Sequence, residues 1–159
     1  MKIKNNVQDE LVFEMIALKE NYPYELLLLA DESVESINKY LFDSIVYGAK
    51  YNEKIIAVFC LYEVDKNTME IKNIAVAEEY QKHGYGSECI SFIKKICENK
   101  YRRIIVGTGD CGINQINFYE KNGFRKYDIR KNFFVDNFDK PIFEKGIQLI
   151  DMVLLKYEL

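Results

Sequence analysis

Asn73-Ile74-Ala75-Val76-Ala77-Glu78-Glu79-Tyr80-Gln81-Lys82-His83-Gly84-Tyr85-Gly86 is the stretch on which the fold turns. It opens as a strand, passes through a loop holding two glycines, and enters a segment with the period of a helix. Residues Tyr85 to Asn99 carry Cys89, Phe92, Ile93, Ile96 and Cys97 on one face, the mark of an amphipathic helix. The first N–H groups of such a helix have no internal partner, and the helix dipole adds positive character there. A strand, a glycine loop and a helix start therefore make a site for an anion. Gly84 and Gly86 remove side chains that would keep a pyrophosphate away from the backbone, and Lys82 and His83 add charge. The bland alternative is a helix entry that happens to hold two glycines.

Upstream of this unit the pattern is one of strands. Ile45 to Lys50, Ile55 to Val64 and Thr68 to Val76 are separated by Asn52-Glu53 and by Asp65-Lys66-Asn67, which suits an antiparallel meander. Before that, Met1 to Asn5 reads as a short strand. Gln8 to Lys19 reads as a helix from Leu11, Val12, Met15, Ile16 and Leu18. Pro23 to Asp31 is either a short helix with Pro at its first position or a buried strand. Ser33 to Phe42 is a helix with Ser33 as N-cap. Downstream, Arg103 to Gly107 is a strand, and Asn114 to Asn122 is a helix closed by Gly123 at C′. Phe124 to Phe134 and Ile147 to Lys156 are closing strands. The expected order is β-α-α-β-β-β-α-β-α-β-β, an α+β chain whose 159 residues suit a single domain over 1–159.

Composition narrows the function. Hydrophobic residues make up 48% and charged residues 30%, a globular balance. The net charge is −3 and no basic cluster occurs, which argues against a nucleic-acid partner. No apolar run approaches the roughly 20 residues of a membrane helix, so no membrane role is expected. Cys60, Cys89, Cys97 and Cys111 match no zinc spacing, so no metal is expected, and their pattern suits a reduced, cytoplasmic protein.

The loop segment Gln81-x-x-Gly84-x-Gly86 resembles the Q/R-x-x-G-x-G/A signature of the GNAT N-acetyltransferase superfamily. Asn73-Ile74-Ala75-Val76 is similar to the strand before it. Asn117-Phe118-Tyr119-Glu120-Lys121-Asn122-Gly123-Phe124 resembles that family's second signature, a Tyr-x-x-x-Gly-Phe on a short helix. The likeness covers residues 45–159 in element order and is weaker over the first 44.

The resemblance implies a GNAT-like three-layer fold with a mixed, mostly antiparallel central sheet flanked by helices. It implies acetyl-CoA as cosubstrate, with the pyrophosphate on the amides of Gln81, Lys82, His83, Gly84, Tyr85, Gly86 and Ser87. The pantetheine arm would run along Ile74, Ala75 and Val76, with the amide near Val76 polarising the thioester carbonyl. Tyr119 is the implied acid for the departing thiolate, and its bland alternative is a packing tyrosine. Glu70 lies six residues before Val76. It matches the base glutamate of the histone-acetyltransferase branch, and its bland alternative is a solvent-facing strand carboxylate. Glu63 and Glu78 are runners-up, and Asp110 and Asp128 are candidates to line the acceptor pocket. Many members carry an Asn seven residues before the motif Tyr. Here that position is Gly112, so Asn114 and Asn117 are the candidates to replace its contact, although Asn114 also suits an N-cap.

The implied activity is direct transfer of an acetyl group to a primary amine of a small molecule or peptide. The alternative is a non-catalytic acyl-CoA-binding sensor or regulatory module of the same fold. Tyr22, Tyr24, Tyr127, Phe133 and Phe134 are candidates for an aromatic pocket around a cationic amine. Phe133 to Phe138 is the candidate homodimer face. Two other readings are weak. Gly107-Thr108-Gly109-Asp110-Cys111-Gly112 fits G-x-G-x-x-G but follows three antiparallel strands, unlike a dinucleotide fold. Cys111 as a nucleophile lacks an obvious base, because the lone histidine is His83.

Overall fold

The computed structural model describes residues 10–159. The strand expected over Met1 to Asn5 lies outside them. Nine strands and five helices follow in chain order among the described residues: β1 (Val12–Met15), α1 (Tyr24–Leu27), α2 (Val34–Leu41), β2 (Ile45–Tyr51), β3 (Lys54–Asp65), β4 (Thr68–Val76), α3 (Tyr85–Cys97), β5 (Arg103–Gly109), α4 (Ile113–Lys121), β6 (Arg125–Arg130), α5 (Phe133–Asp136), β7 (Phe143–Glu144), β8 (Ile147–Gln148) and β9 (Met152–Glu158). Seven strands are hydrogen-bonded in the order β1-β2-β3-β4-β5-β9-β6, and β7 pairs only with β8. The β4–β5 pairing is parallel, whereas β1–β2, β2–β3, β5–β9 and β6–β9 are antiparallel. This is the mixed, mostly antiparallel sheet of an α+β fold.

The chain forms two compact units that interleave in sequence. Among the described residues, one holds 10–61 and 73–89, and the other holds 62–72 and 90–159. The chain passes between them inside β3, β4 and α3.

In the first unit the apolar centre is Leu27, Ile37, Leu41, Val46, Val58, Cys60 and Ala75. Helix α2 supplies Ile37 and Leu41 from one face, four residues apart. Ser33 begins it as expected, in an extended conformation, accepting the Ser36 N–H at 3.1 Å. Ser33→Ala should therefore cost about 1 kcal/mol and lower Tm by about 2–4 °C in a thermal melt, while Ser33→Asp should hold the wild-type Tm. In the second unit Ile93, Cys97, Ile104, Val106, Ile116, Phe124 and Leu155 are buried. Asn99, left-handed at φ 67°, follows the end of α3, and Gly123, at φ 91°, follows α4 as its expected C′ glycine.

Four sequence expectations are corrected. The helix over Gln8 to Lys19 is instead strand β1 with a single 3-10 turn at Lys19–Asn21. The helical spacing would have placed Val12, Met15 and Leu18 on a buried face, yet all three are more than half exposed. Pairing with β2, a Glu14–Lys50 ion pair at 2.8 Å and the Phe13–Phe59 ring contact hold this segment extended. The segment after Pro23 is helical, but Pro23 stands at the N-cap and the helix lasts one turn. The strand over Phe124 to Phe134 stops at Arg130, because Asn132 is left-handed at φ 56° and begins α5. Phe133 to Phe138 are accordingly not exposed strand residues. Phe134 stacks on Phe138 and meets Phe133 edge-on. The strand over Ile147 to Lys156 divides into β8 and β9.

The glycine-rich run at 107–112 has a packing explanation. A Cβ on Gly107 would lie 2.5 Å from Met152 Sδ, and one on Gly109 would lie 2.5 Å from Leu149 Cδ2. Gly112 is the N-cap of α4, so Asn114 sits inside the first turn and is not the cap.

Candidate active site

In the first unit, β4 leads into a 3-10 turn at Glu78–Tyr80 and then into the loop before α3. The turn is tied to the sheet by the Ala77 N–H, which donates to the Ile56 carbonyl at 2.8 Å. The Gln81 side chain donates from Nε2 to the Val76 carbonyl at 2.8 Å, folding the loop back onto the strand end. The Gln81 backbone N–H is taken by the Glu78 carbonyl at 3.2 Å. The loop's N–H groups without a backbone partner among the described residues therefore begin at Lys82.

Lys82 is left-handed at φ 64° and Gly84 at φ 86°. Left-handed residues of this kind are the ones from which anion-binding nests are built. No backbone partner is present among the described residues for the N–H groups of Lys82, His83, Gly84, Tyr85 and Gly86. A Cβ on Gly84 would find nothing within 4 Å, so the space over the loop is open. Gly84 is thus required for its backbone conformation and not for close packing against protein. Tyr51, Tyr80 and Tyr85 form a ring cluster beside the loop, at centroid separations of 6.0 to 6.2 Å. Lys54 lies over Tyr80 and pairs with Glu79 at 2.9 Å, offsetting one of the nearby carboxylates. Lys82 and His83 are exposed, as a contact to phosphate requires.

The strand before the loop has a distinctive edge. The ladder between β4 and β5 runs from Thr68 opposite Arg103 to Ile71 opposite Val106 and goes no further. Ile74, Ala75 and Val76 have no β5 partner in that ladder, and the Val76 carbonyl is taken by the Gln81 side chain.

The second unit holds Glu70, Asn114, Asn117 and Tyr119. Glu70 is buried, 6% exposed, and its carboxylate pairs with Lys72 Nζ at 3.1 Å. It is therefore not a solvent-facing carboxylate. Tyr119 is also buried, with Phe118 and Phe124 edge-on at 5.2 and 5.8 Å. Burial pushes its phenol pKa well above the ordinary value. No hydrogen bond holds its hydroxyl among the described residues. Asn114 and Asn117 are exposed, three apart on one side of α4.

The remaining candidates have other occupations. Glu63 accepts the Tyr101 hydroxyl, Asp128 accepts its neighbour's N–H at 2.8 Å, and Asp110 accepts the Ile150 N–H at 3.3 Å. Tyr22 and Tyr24 belong to the first unit, whereas Tyr127, Phe133 and Phe134 belong to the second. The Cys60 and Cys89 thiols are pushed up to about 12 by burial and are inert. Cys111, half-buried, has its thiol raised as well, which argues against a nucleophile. Among the described residues no group of three or more His, Cys, Asp or Glu is placed to hold a metal. No helix there is long and apolar enough to cross a membrane.

Sequence reasoning treated Asn73 only as part of a strand motif. It is buried, 3% exposed, and bonded to Leu27 and Tyr40. The available signal was an amide at the head of the apolar run Ile74-Ala75-Val76.

The chain belongs to the Acetyltransferase (GNAT) family, which it matches over residues 9–124. It is 39% identical over 137 residues to the uncharacterized N-acetyltransferase YvbK of Bacillus subtilis (strain 168), covering 86% of this chain and 88% of that one. A GNAT family acetyltransferase from Elizabethkingia anophelis, solved with acetyl-CoA bound, superposes with a TM-score of 0.90. It is 45% identical, with 96% of this chain and 100% of that chain covered. A Bacillus subtilis acetyltransferase solved in complex with CoA gives a TM-score of 0.85 at 37% identity, covering 94% and 99%. The protein is an N-acetyltransferase of this family.

Proposed function

We propose that the protein transfers an acetyl group from acetyl-CoA directly to a primary amine of a small molecule or peptide. The observation that carries this is the row of unbonded N–H groups over Lys82 to Gly86, under open space at Gly84. Five oriented N–H groups at the start of a 13-residue helix suit a pyrophosphate. The stretch of β4 beyond its β5 ladder, Ile74 to Val76, suits pairing with a chain of amides such as pantetheine. Acetyl-CoA in the Elizabethkingia anophelis relative supports the same donor here.

The chemistry then assigns roles. An alkylammonium has a pKa near 10 and must lose a proton before it attacks. Its nitrogen forms a bond to the thioester carbon, the C–S bond breaks, and the thiolate leaves. Glu70, directly or through a water, is the candidate to accept the amine's proton. Lys72 holds that carboxylate in place. Tyr119 is the candidate to donate to the sulfur. Its raised pKa keeps it neutral, so it serves first as a hydrogen-bond donor to the developing thiolate. Asn114 and Asn117 are candidates to touch the pantetheine arm. The four free cysteines support a reducing, cytoplasmic setting.

The test is release of free CoA thiol with a panel of polyamines, aminoglycosides and N-terminal peptides. Turnover should appear with at least one class, with the acetylated product confirmed by mass. Tight CoA binding with no turnover on any amine would remove the transfer reading and leave a donor-binding sensor.

A further inference from the structure

No hydrogen bond holds the Tyr119 hydroxyl among the described residues. Its aim rests on the turn that closes α4 and on the rings packed against it. The Gly123 N–H donates to the Glu120 carbonyl, and the Phe124 N–H reaches back to the Tyr119 carbonyl, both at 3.0 Å. With Gly123 left-handed, this pair of bonds is the Schellman closure of a helix. The apolar contact that accompanies such a closure is here Tyr119 against Phe124, 5.8 Å between ring centroids. Tyr119 is thus itself part of the turn, and anything that loosens the turn moves its hydroxyl.

A side chain from α3 reaches this turn. Lys94 is half-buried, and its ammonium donates to the carbonyl of Asn122, the C-cap of α4. Carbonyls at a helix end lack an internal partner and carry partial negative charge. The same ammonium stands 4.0 Å from the centre of the Tyr157 ring on β9, and Tyr157 meets Phe124 at 5.6 Å. A Cβ on Gly123 would lie 3.1 Å from Tyr157 and 3.7 Å from Lys94 Nζ, so turn, ring and ammonium are closely packed. No carboxylate pairs with Lys94 among the described residues. A carbonyl and an aromatic face hold it instead. Burial lowers its pKa, whereas the neighbouring Lys95 is exposed. A lysine with no task here would extend its ammonium into water.

We propose that Lys94 is a positioning residue for the transfer: it grips the end of α4 against Tyr157 and so fixes where the Tyr119 hydroxyl meets the departing sulfur. This rests on the transfer reading above, in which Tyr119 is the donor.

The test compares variants of the full chain at saturating acceptor. Lys94→Met keeps the aliphatic stem and removes the ammonium. It should lower kcat about tenfold, short of the about 10²-fold that a misplacement of roughly 1 Å costs, while the KM for acetyl-CoA holds at the wild-type value. Lys94→Arg keeps a charged donor over the ring and should recover much of the loss. In a Tyr119→Phe background Lys94→Met should lower kcat no further, because both changes act through one hydroxyl. Losses of equal size in the two backgrounds would overturn the proposal, as would a wild-type kcat in Lys94→Met where Tyr119→Phe is impaired. NMR of protein labelled with carbon-13 at the tyrosine Cζ gives a readout independent of turnover. The signal that vanishes in Tyr119→Phe belongs to Tyr119, and Lys94→Met should shift or broaden it. An unmoved signal overturns the proposal. A moved signal together with full activity in Tyr119→Phe supports the grip on the ring and overturns the donor role of Tyr119.

Discussion

Gly84→Glu should raise the KM for acetyl-CoA about a hundredfold, close to 2.7 kcal/mol of binding. The protein itself offers no resistance to the new side chain, since nothing lies within 4 Å of an added Cβ. The carboxylate would stand in the space over the unbonded amides and repel a pyrophosphate. Its backbone cost is separate. Gly84 is left-handed at φ 86°, where an ordinary residue costs about 1 kcal/mol, or a few degrees of Tm. Gly84→Ala isolates that cost, because it strains the backbone while leaving most of the space open. Calorimetry with CoA decides the matter. A large loss for Glu and a small one for Ala places the phosphates on this loop. Equal losses would assign the effect to backbone conformation, and unchanged affinity in Gly84→Glu would take the loop out of donor binding.

Tyr119→Phe should lower kcat about 10²-fold, the range of a lost general acid, while the KM for acetyl-CoA stays near wild type. The ring keeps its edge contacts with Phe118 and Phe124, and no hydrogen bond is lost among the described residues. Stability should therefore hold within the error of a thermal melt. The pH profile adds a check. The phenol pKa is raised by burial, so the neutral donor persists through the working range. Tyr119 should then contribute no fall in kcat on the alkaline side up to pH 10. An unchanged kcat in Tyr119→Phe would make the residue a packing tyrosine only.

What could be read from sequence was local. Strand β4 was delimited by a turn at Asp65 to Asn67 and by the loop beyond Val76. Helix α3 announced itself through Cys89, Ile93 and Cys97. Ser33 and Gly123 acted as the terminators their chemistry makes them. What escaped was set by pairing at a distance. Val12 to Met15 have a spacing compatible with a helix, and only β2 makes them a strand. The break after Arg130 depends on Asn132, whose N–H donates to Asp151 Oδ1 at 2.9 Å across 19 residues. Within the candidate site, the loop and Tyr119 belong to contiguous motifs and were visible. The grip of Lys94 and Tyr157 on the end of α4 joins three separate segments, so no window of sequence contains it. The burial of Glu70 and its hold on Lys72 were equally invisible, because alternation along a strand does not say which face is covered.

The early end of the β4–β5 ladder also bears on how long the protein lasts. On the proposed reading, acetyl-CoA lying along Ile74 to Val76 would complete a strand whose β5 ladder ends at Ile71. Folded lifetime then becomes a function of metabolite supply. A ligand at a hundred times its Kd adds about 2.7 kcal/mol to the folded state, enough to change the unfolded fraction a hundredfold. In a cell rich in acetyl-CoA the enzyme should then resist proteolysis, and in one depleted of it the same chain should turn over faster.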